Sequence, residues 1–250
     1  MEQRQYSLEE IVRYAEEGSA DFKYLLATKY RNGDGVGMDK ARAARMYREL
    51  ADQGDRYSQY DLAFMLDSGE GIPQDRAESE KYFKLAADQE DSDACLCYGG
   101  ILFERGEYVE AEKYFLTAAM KGDVKAEYNI GLLYLGDYLG EPDRGKALEW
   151  FESAADKGFV PAESMAGSLY MESGDPDKAE RYLRRAAEQG EPTAQYNLGV
   201  LALSGRIGME YAEAAEWLAK AARNGMQPAY ELLMKLNSQR SVPHHFLVPT

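Results

Sequence analysis

The chain contains little of the chemistry on which most enzymes and metalloproteins depend. Of its 250 residues only two are histidine and two are cysteine. His244 and His245 both lie in the last seven residues, so the body of the chain lacks the side chain best suited to acid–base or metal chemistry near neutral pH. Cys95 and Cys97 are too few for a disulfide framework. The sequence therefore predicts a non-enzymatic protein of a reducing compartment, with no catalytic residues, no metal site and no cofactor.

Basic side chains and long apolar runs are also scarce. The chain has 29 Lys and Arg against 44 Asp and Glu, a net charge of −15. This charge repels a phosphate backbone and no basic cluster interrupts it, so neither nucleic acid nor an anionic membrane is an expected partner. No run reaches the roughly 18 apolar residues of a transmembrane helix, and residues 1–11 lack the apolar core of an export signal. We expect a cytoplasmic protein.

One short phrase recurs along the whole chain. It consists of alanines followed by a glycine, as in residues 154–158 and 186–190. The spacing between successive copies is 32, 35 or 36 residues. A period of this size that varies by one loop length is typical of stacked helical hairpins. The phase marks are Gly18, Gly54, Glu90, Gly122, Gly158, Gly190 and Gly225.

Each repeat contains two segments with helical spacing of apolar residues. The first has a small residue at its centre, which allows another helix to approach closely. The second carries a bulky pair, which we expect to fill the space beside the small residue. The small residues are Ala27, Ala63, Gly99, Gly131, Gly167 and Gly199, and the pairs are Tyr82-Phe83, Tyr114-Phe115, Trp150-Phe151, Tyr182-Leu183 and Trp217-Leu218.

The longer loops carry residues that end one helix and begin the next. Gly33 and Gly69 are placed to end the first helix in a left-handed conformation. Asp39 and Asp75 are placed to cap the second helix. Glu90 stands where most other repeats have the turn glycine.

These units resemble the Sel-one-like repeat family, a relative of the tetratricopeptide repeats, most closely in residues 33–41, 126–158 and 194–225. The resemblance implies an all-α fold, a right-handed α-α superhelix (solenoid) of about six to seven helical hairpins. It also implies that the first helices line a concave face that binds proteins. We expect one repeat domain over 1–240, with a cap helix in 1–18, units at 19–54, 55–90, 91–122, 123–158, 159–190 and 191–225, a partial unit at 226–240, and an extended tail at 241–250.

A second regularity points to a binding groove. Tyr60, Tyr128 and Tyr196 are spaced 68 residues apart, and each precedes an Asp or Asn. A ring beside a short polar group suits an extended peptide, although packing within the hairpins explains the tyrosines equally well. The resemblance and the helical spacing together give these candidate groove residues: Tyr24, Tyr60, Asp61, Phe64, Phe103, Tyr128, Asn129, Leu132, Leu135, Met171, Tyr196, Asn197, Val200 and Leu203.

Two functions fit these features. The first is an adaptor that binds a basic or neutral protein or peptide on its concave face, since the chain is acidic. The second is an immunity-type or regulatory inhibitor that occludes a toxin or enzyme. The sequence leaves the partner and the oligomeric state open, and it leaves the tail 241–250 either covering the last helices or occupying another molecule's groove.

Overall fold

The computed structural model describes residues 6–239, and within them every regular element is an α-helix. Most helices have 12 or 13 residues, as expected for a repeat built from two short helices. The bounds are α1 Leu8–Glu16, α2 Ala20–Asn32, α3 Lys40–Ala51, α4 Arg56–Ser68, α5 Arg76–Ala87, α6 Ser92–Glu104, α7 Tyr108–Met120, α8 Val124–Leu135, α9 Arg144–Asp156, α10 Val160–Ser173, α11 Pro176–Glu188, α12 Pro192–Leu203, α13 Tyr211–Arg223 and α14 Gln227–Gln239.

The helices form two compact units that divide between Asp123 and Val124. Unit 1 contains α1 packed on α2, followed by the hairpins α2–α3, α4–α5 and α6–α7. Unit 2 contains the hairpins α8–α9, α10–α11 and α12–α13, with α14 packed on α13. Within each unit the second helix of one hairpin packs on the first helix of the next. This arrangement confirms the predicted fold class, an all-α solenoid of helical hairpins.

The predicted helix ends are confirmed in the longer loops. Gly33 and Gly69 end their helices with φ of 80° and 72°. Asp39 and Asp75 each accept a hydrogen bond from the backbone N–H three residues later, at 2.8 and 3.0 Å. Glu90 has φ of 58°, in the left-handed region that side chains rarely adopt. The glutamate therefore keeps the turn geometry that glycine has in most other repeats.

Small residues and bulky side chains meet in the core as the sequence predicts, through the second member of each pair. A Cβ added to Gly99 would lie 2.7 Å from Phe115, and one added to Gly131 would lie 2.6 Å from Phe151. Both phenylalanines are buried. Such distances leave no space for even a methyl group, so the glycines set how closely the two helices of a hairpin approach. Leu183 packs in the same way against Gly167, and Leu218 packs against Gly199.

A buried polar position ties successive repeats together. Gln59 and Gln195 each donate an amide hydrogen bond, at 3.1 Å, to a backbone carbonyl of the preceding repeat. The fifth repeat has Glu163 at this position, 1% exposed, and a carboxylate has no hydrogen to donate. Arg185 replaces the amide, since its Nη2 donates to the Ala155 carbonyl at 2.7 Å and pairs with Glu163 Oε1 at 2.7 Å.

Gly71, in the loop after α4, is required for two separable reasons: its left-handed backbone conformation and its close approach to α3. Gly71 has φ of 75°, and a Cβ there would lie 2.8 Å from the Lys40 carbonyl carbon at the start of α3. Gly35 has the same φ of 75° with nothing within 4 Å of its Cβ position. We expect Gly71→Ala to lower the free energy of unfolding by about 2 kcal/mol and Gly35→Ala by about 1 kcal/mol, the cost of the left-handed conformation alone. Urea unfolding followed by circular dichroism measures both, and equal losses would show that the loop moves away from Lys40.

Candidate functional site

The candidate groove residues all lie on first helices. In unit 1 they are on α2, α4 and α6, and in unit 2 on α8, α10 and α12. We call these surfaces the unit 1 face and the unit 2 face, each comprising the candidate residues of that unit. Phe64 is exposed, at 43%, and the other candidates are half-buried. The unit 1 face consists of Tyr24, Tyr60, Asp61, Phe64 and Phe103, and the unit 2 face of Tyr128, Asn129, Leu132, Leu135, Met171, Tyr196, Asn197, Val200 and Leu203.

Asp61 joins α4 to α2. Its carboxylate accepts hydrogen bonds from the Tyr24 hydroxyl at 2.7 Å and from Arg31 Nη1 at 2.8 Å. Arg31 also pairs with Glu70 at 2.8 Å. Burial raises the pKa of Asp61, and Tyr24 and Arg31 act against that rise. The carboxylate is therefore held by neighbouring repeats of this chain rather than presented free to a peptide backbone.

The Tyr60 ring is half-buried and contacts a ring of the core. Its centroid is 5.9 Å from that of Phe83 in the second helix of the same hairpin. Burial raises the pKa of the Tyr60 hydroxyl, and the carboxylates of Asp93, Asp61 and Asp91 raise it further. The hydroxyl is thus neutral at pH 7 and lies in a negative field, which favours a neutral or cationic contact.

Tyr57 belongs to the same surface, although the sequence analysis did not identify it. It is 50% exposed, and its ring centroid is 6.2 Å from that of Tyr24. Its hydroxyl accepts a hydrogen bond from Arg56 at 2.7 Å. Its spacing could have identified it, because Tyr57 precedes Phe64 by seven residues, which is two turns of one helix. Tyr57 and Phe64 give α4 two exposed aromatic rings on one side.

Phe64 is the most exposed of the candidate residues. The guanidinium of Arg31 lies 5.4 Å from the centre of its ring, within the range of a cation–π contact. Arg31 is itself held by ion pairs with Asp61 and Glu70, so the cation beside the Phe64 ring is tied to two other residues of unit 1. Phe103 differs, since its ring packs against Tyr108 with centroids 5.3 Å apart.

A cleft of about 510 Å³ lies among α4, α5 and α6, within the usual size range of ligand pockets. Gly100 forms part of its wall, and a Cβ there would meet nothing within 4 Å. The residue after the central small residue carries a side chain in the other repeats, Phe64 and Leu132 among them. The absence of a side chain at Gly100 therefore leaves this part of the cleft open.

The unit 2 face is largely engaged in packing. The Tyr128 ring has its centroid 5.5 Å from that of Phe151 and 5.4 Å from that of Phe159. Asn197 donates a hydrogen bond to Ser168 Oγ at 2.9 Å. The remaining apolar candidates of this face, Leu132, Leu135, Met171, Tyr196, Val200 and Leu203, pack against the buried core clusters.

Asn129 is the exception on the unit 2 face. Its half-buried amide has no hydrogen-bond partner among residues 6–239. It follows Tyr128, whose hydroxyl has a raised pKa through burial and the charge of Glu191. An amide in this position has a donor and an acceptor to offer to another chain.

The described residues hold no group of three or more His, Cys, Asp or Glu side chains arranged for a metal ion. Cys95 is buried and Cys97 half-buried, and both thiols are free. None of the helices between residues 6 and 239 combines the length and apolar character that a membrane crossing requires. His244, His245 and the predicted tail 241–250 lie outside the described residues.

Comparison with solved structures supports the fold over most of the chain. The protective antigen c5321 of uropathogenic Escherichia coli, which has an SLR fold, is 30% identical with a TM-score of 0.82, covering 92% of this chain and 51% of that one. A Sel1 repeat protein of Oxalobacter formigenes is 27% identical with a TM-score of 0.69, covering 81% and 85%.

Comparison with curated proteins and family models gives the family. The chain is 35% identical over 107 residues to the ERAD-associated E3 ubiquitin-protein ligase component HRD3B of Arabidopsis thaliana, covering 40% of this chain and 17% of that protein. It spans about a fifth of the length of the curated relatives that it matches. A tetratricopeptide repeat model matches residues 164–228, and the Sel1 repeat model matches 20–55, 56–91, 94–123 and 124–159. The chain belongs to the Sel1 repeat family.

Proposed function

We propose that this protein binds another protein through the unit 1 face and catalyses no reaction on it. Sel1 and tetratricopeptide repeats are in general non-enzymatic protein-interaction modules. The observation that carries the proposal is the pair of exposed rings, Tyr57 and Phe64, on a surface fixed by Arg31 and Asp61. Large side chains, tyrosine among them, contribute most of the binding energy at protein interfaces.

The charge of the surface supports a basic or neutral partner. The chain carries a net charge of −15, and Asp61, Asp91 and Asp93 all act on the Tyr60 hydroxyl. A negative surface speeds the encounter with a positive partner and disfavours an acidic one. Binding is therefore expected to weaken as salt is added.

The unit 2 face, considered by itself, also offers contacts to a bound protein in this proposal. The amide of Asn129, unpartnered within residues 6–239, suits the backbone of an extended segment, and Tyr128 beside it suits a side chain.

Because the rings of Tyr60 and Tyr128 also pack against phenylalanines, replacing them with alanine would disturb the fold. The test therefore uses exposed residues.

Affinity capture from the native lysate tests the unit 1 face with two double variants. Tyr57→Ser/Phe64→Ser removes the exposed rings, whereas Val109→Ser/Met120→Ser removes exposed apolar side chains, 61% and 87% exposed, from the second helix α7. We expect a protein retained by the wild type and the α7 variant to be lost by the Tyr57/Phe64 variant. Equal retention by both variants, with all baits helical by circular dichroism, would place binding elsewhere.

The identity of the captured protein separates an adaptor from an inhibitor. If the partner is an enzyme or toxin, its activity is measured with and without a saturating amount of this chain. Loss of activity that returns with the Tyr57/Phe64 variant supports an inhibitor that occludes the partner. Unchanged activity supports an adaptor.

A further inference from the structure

We infer that the cleft among α4, α5 and α6 receives an arginine side chain of the bound protein. The inference rests on the proposed function and names the chemistry of one partner residue. Three features of unit 1 support it: the open space at Gly100, the apolar walls of the cleft, and the carboxylates at its edge.

The walls of the cleft suit a long aliphatic side chain. Phe64, Phe83, Leu96 and Ile101 line it, and the space beside Gly100 is empty to at least 4 Å. Burial and the nearby Asp93 raise the pKa of the Cys97 thiol to about 11, so this wall residue is uncharged at pH 7. A side chain entering here would bury methylene groups against apolar surface, which is favourable.

The edge of the cleft suits a cation. Asp67, Glu80 and Glu104 line it together with one basic residue, Arg76. Glu80 is paired with Arg105 at 2.6 Å, whereas Asp67 and Glu104 form no ion pair among the described residues. Two carboxylates of the lining are thus available to the far end of an entering side chain, against one lining guanidinium, that of Arg76.

Arginine fits this combination better than lysine does. Its planar guanidinium pairs with carboxylates through two parallel hydrogen bonds and stacks on aromatic rings, whereas the lysine ammonium is a strongly hydrated point charge. Phe64 lines the cleft and already carries one guanidinium, that of Arg31, at 5.4 Å from its ring centre. An arginine that stacked on Phe64 would use the face of the ring opposite Arg31.

Blocked tripeptides test the inference directly on the full chain labelled with ¹⁵N. The probes are acetyl-Ala-Arg-Ala-amide, the lysine peptide, and the citrulline peptide, which has nearly the shape of the arginine peptide without its charge. We expect saturable shifts of the Gly100 and Ile101 amide signals with arginine, and binding weaker by about tenfold with citrulline and by about threefold with lysine. Citrulline binding as tight as arginine would overturn the charge argument, and lysine binding as tight as arginine would overturn the choice of residue.

Variants of Gly100 separate occlusion from unfolding. Gly100→Leu places in the cleft the side chain that the next repeat has as Leu132, and Gly100→Ala leaves most of the space open. Both remove a glycine from a helix interior and are expected to raise the melting temperature. We expect loss of the arginine-induced shifts with leucine and a change of at most about twofold with alanine. Retention of arginine binding by a folded Gly100→Leu protein would overturn the inference.

Charge variants give a second readout with opposite signs. Asp67→Asn/Glu104→Gln is expected to weaken arginine binding about tenfold, and Arg76→Ala to strengthen it about twofold, since exposed charge contacts are individually modest. Unchanged affinity in both would show that the carboxylates play no part.

Capture with the Gly100→Leu bait keeps the two proposals distinguishable. Loss of the partner by both Gly100→Leu and the Tyr57/Phe64 variant supports both proposals. Loss by the Tyr57/Phe64 variant alone keeps the proposed function and overturns the arginine cleft. If the arginine tripeptide binds in the cleft but no captured partner depends on the unit 1 face, the proposed function is overturned and the inference on the cleft is kept.

Discussion

Arg185→Ala is expected to lower the free energy of unfolding by about 3 kcal/mol at pH 7. Arg185 forms an ion pair with Glu163, which is 1% exposed. Nη2 of Arg185 also donates a hydrogen bond to the Ala155 carbonyl at 2.7 Å. Among residues 6–239, removing Arg185 leaves the Gln189 amide, at 3.0 Å, as the one hydrogen-bond donor to the buried carboxylate. Removing one partner of a buried pair is far more destabilising than losing an exposed pair, because the remaining charge has no water to solvate it.

The loss is expected to depend on pH in a defined direction. Burial raises the pKa of Glu163 above its ordinary 4.5, and Arg185 opposes that rise. A raised folded-state pKa means that the folded protein binds more protons than the unfolded chain between 4.5 and the raised value, so stability falls as pH rises through that window. Without Arg185 the pKa rises further and the window extends upward. The loss of stability in the variant relative to the wild type should therefore be largest above the window, shrink as pH falls through it, and stay constant below it.

Two further variants control this prediction. Arg181→Ala removes an exposed pair with Asp156, 3.8 Å apart, and should change stability by less than about 0.5 kcal/mol. Arg185→Ala/Glu163→Gln installs the amide that Gln59 and Gln195 use, and should recover most of the loss. Urea unfolding between about pH 5.5 and pH 8 keeps clear of the isoelectric point of about 4.7. If the double variant is as unstable as Arg185→Ala, the buried charge is not the cause.

Gly131→Val is expected to destabilise the protein by about 3 kcal/mol or more. A Cβ at Gly131 would lie 2.6 Å from the Phe151 ring, and valine adds two further methyl groups. Phe151 is fully buried, so its ring has nowhere to move and the two helices of the hairpin must separate. Overpacking of this kind is at the upper end of what core substitutions cost.

Gly100→Ala is the matched control for Gly131→Val. Both glycines lie inside first helices, but the Gly100 Cβ position is open to at least 4 Å. We expect alanine there to stabilise by up to about 1 kcal/mol, because glycine is a poor helix former. The melting temperatures of the two variants should therefore move in opposite directions. A Gly131→Val protein as stable as the wild type would show that the glycine does not set the helix spacing.

The hairpins could be predicted from the sequence because the features that form them are local or periodic. Asp39 accepts a hydrogen bond from the backbone N–H three residues ahead. Gly131 and Phe151 have a small and a bulky counterpart at the same positions of the other repeats. A repeat displays the same contact several times, so a contact between residues 20 apart becomes visible as a pattern. These local and periodic signals are what make the hairpins formed by the 14 helices of residues 6–239 predictable.

The site was less predictable because its contacts join different repeats and occur once. The sequence marks Asp61 as a short polar residue on the groove, but its partners Tyr24 and Arg31 lie 37 and 30 residues earlier. Likewise Gly100 is one more glycine beside Gly99 in the sequence. Only the packed structure shows that Gly100, unlike Gly99 beside it, opens a cleft.

The pairing of Glu163 with Arg185 also determines which pieces of this chain are exchangeable. The acid is on α10 and the base on α11, the two helices of one hairpin. Duplicating, deleting or transplanting that hairpin whole carries both charges together, whereas a crossover between the two helices would strand a buried carboxylate in one product. A recombinant of this protein that breaks the chain between α10 and α11 is therefore expected to be less stable than one that breaks it on either side of that hairpin.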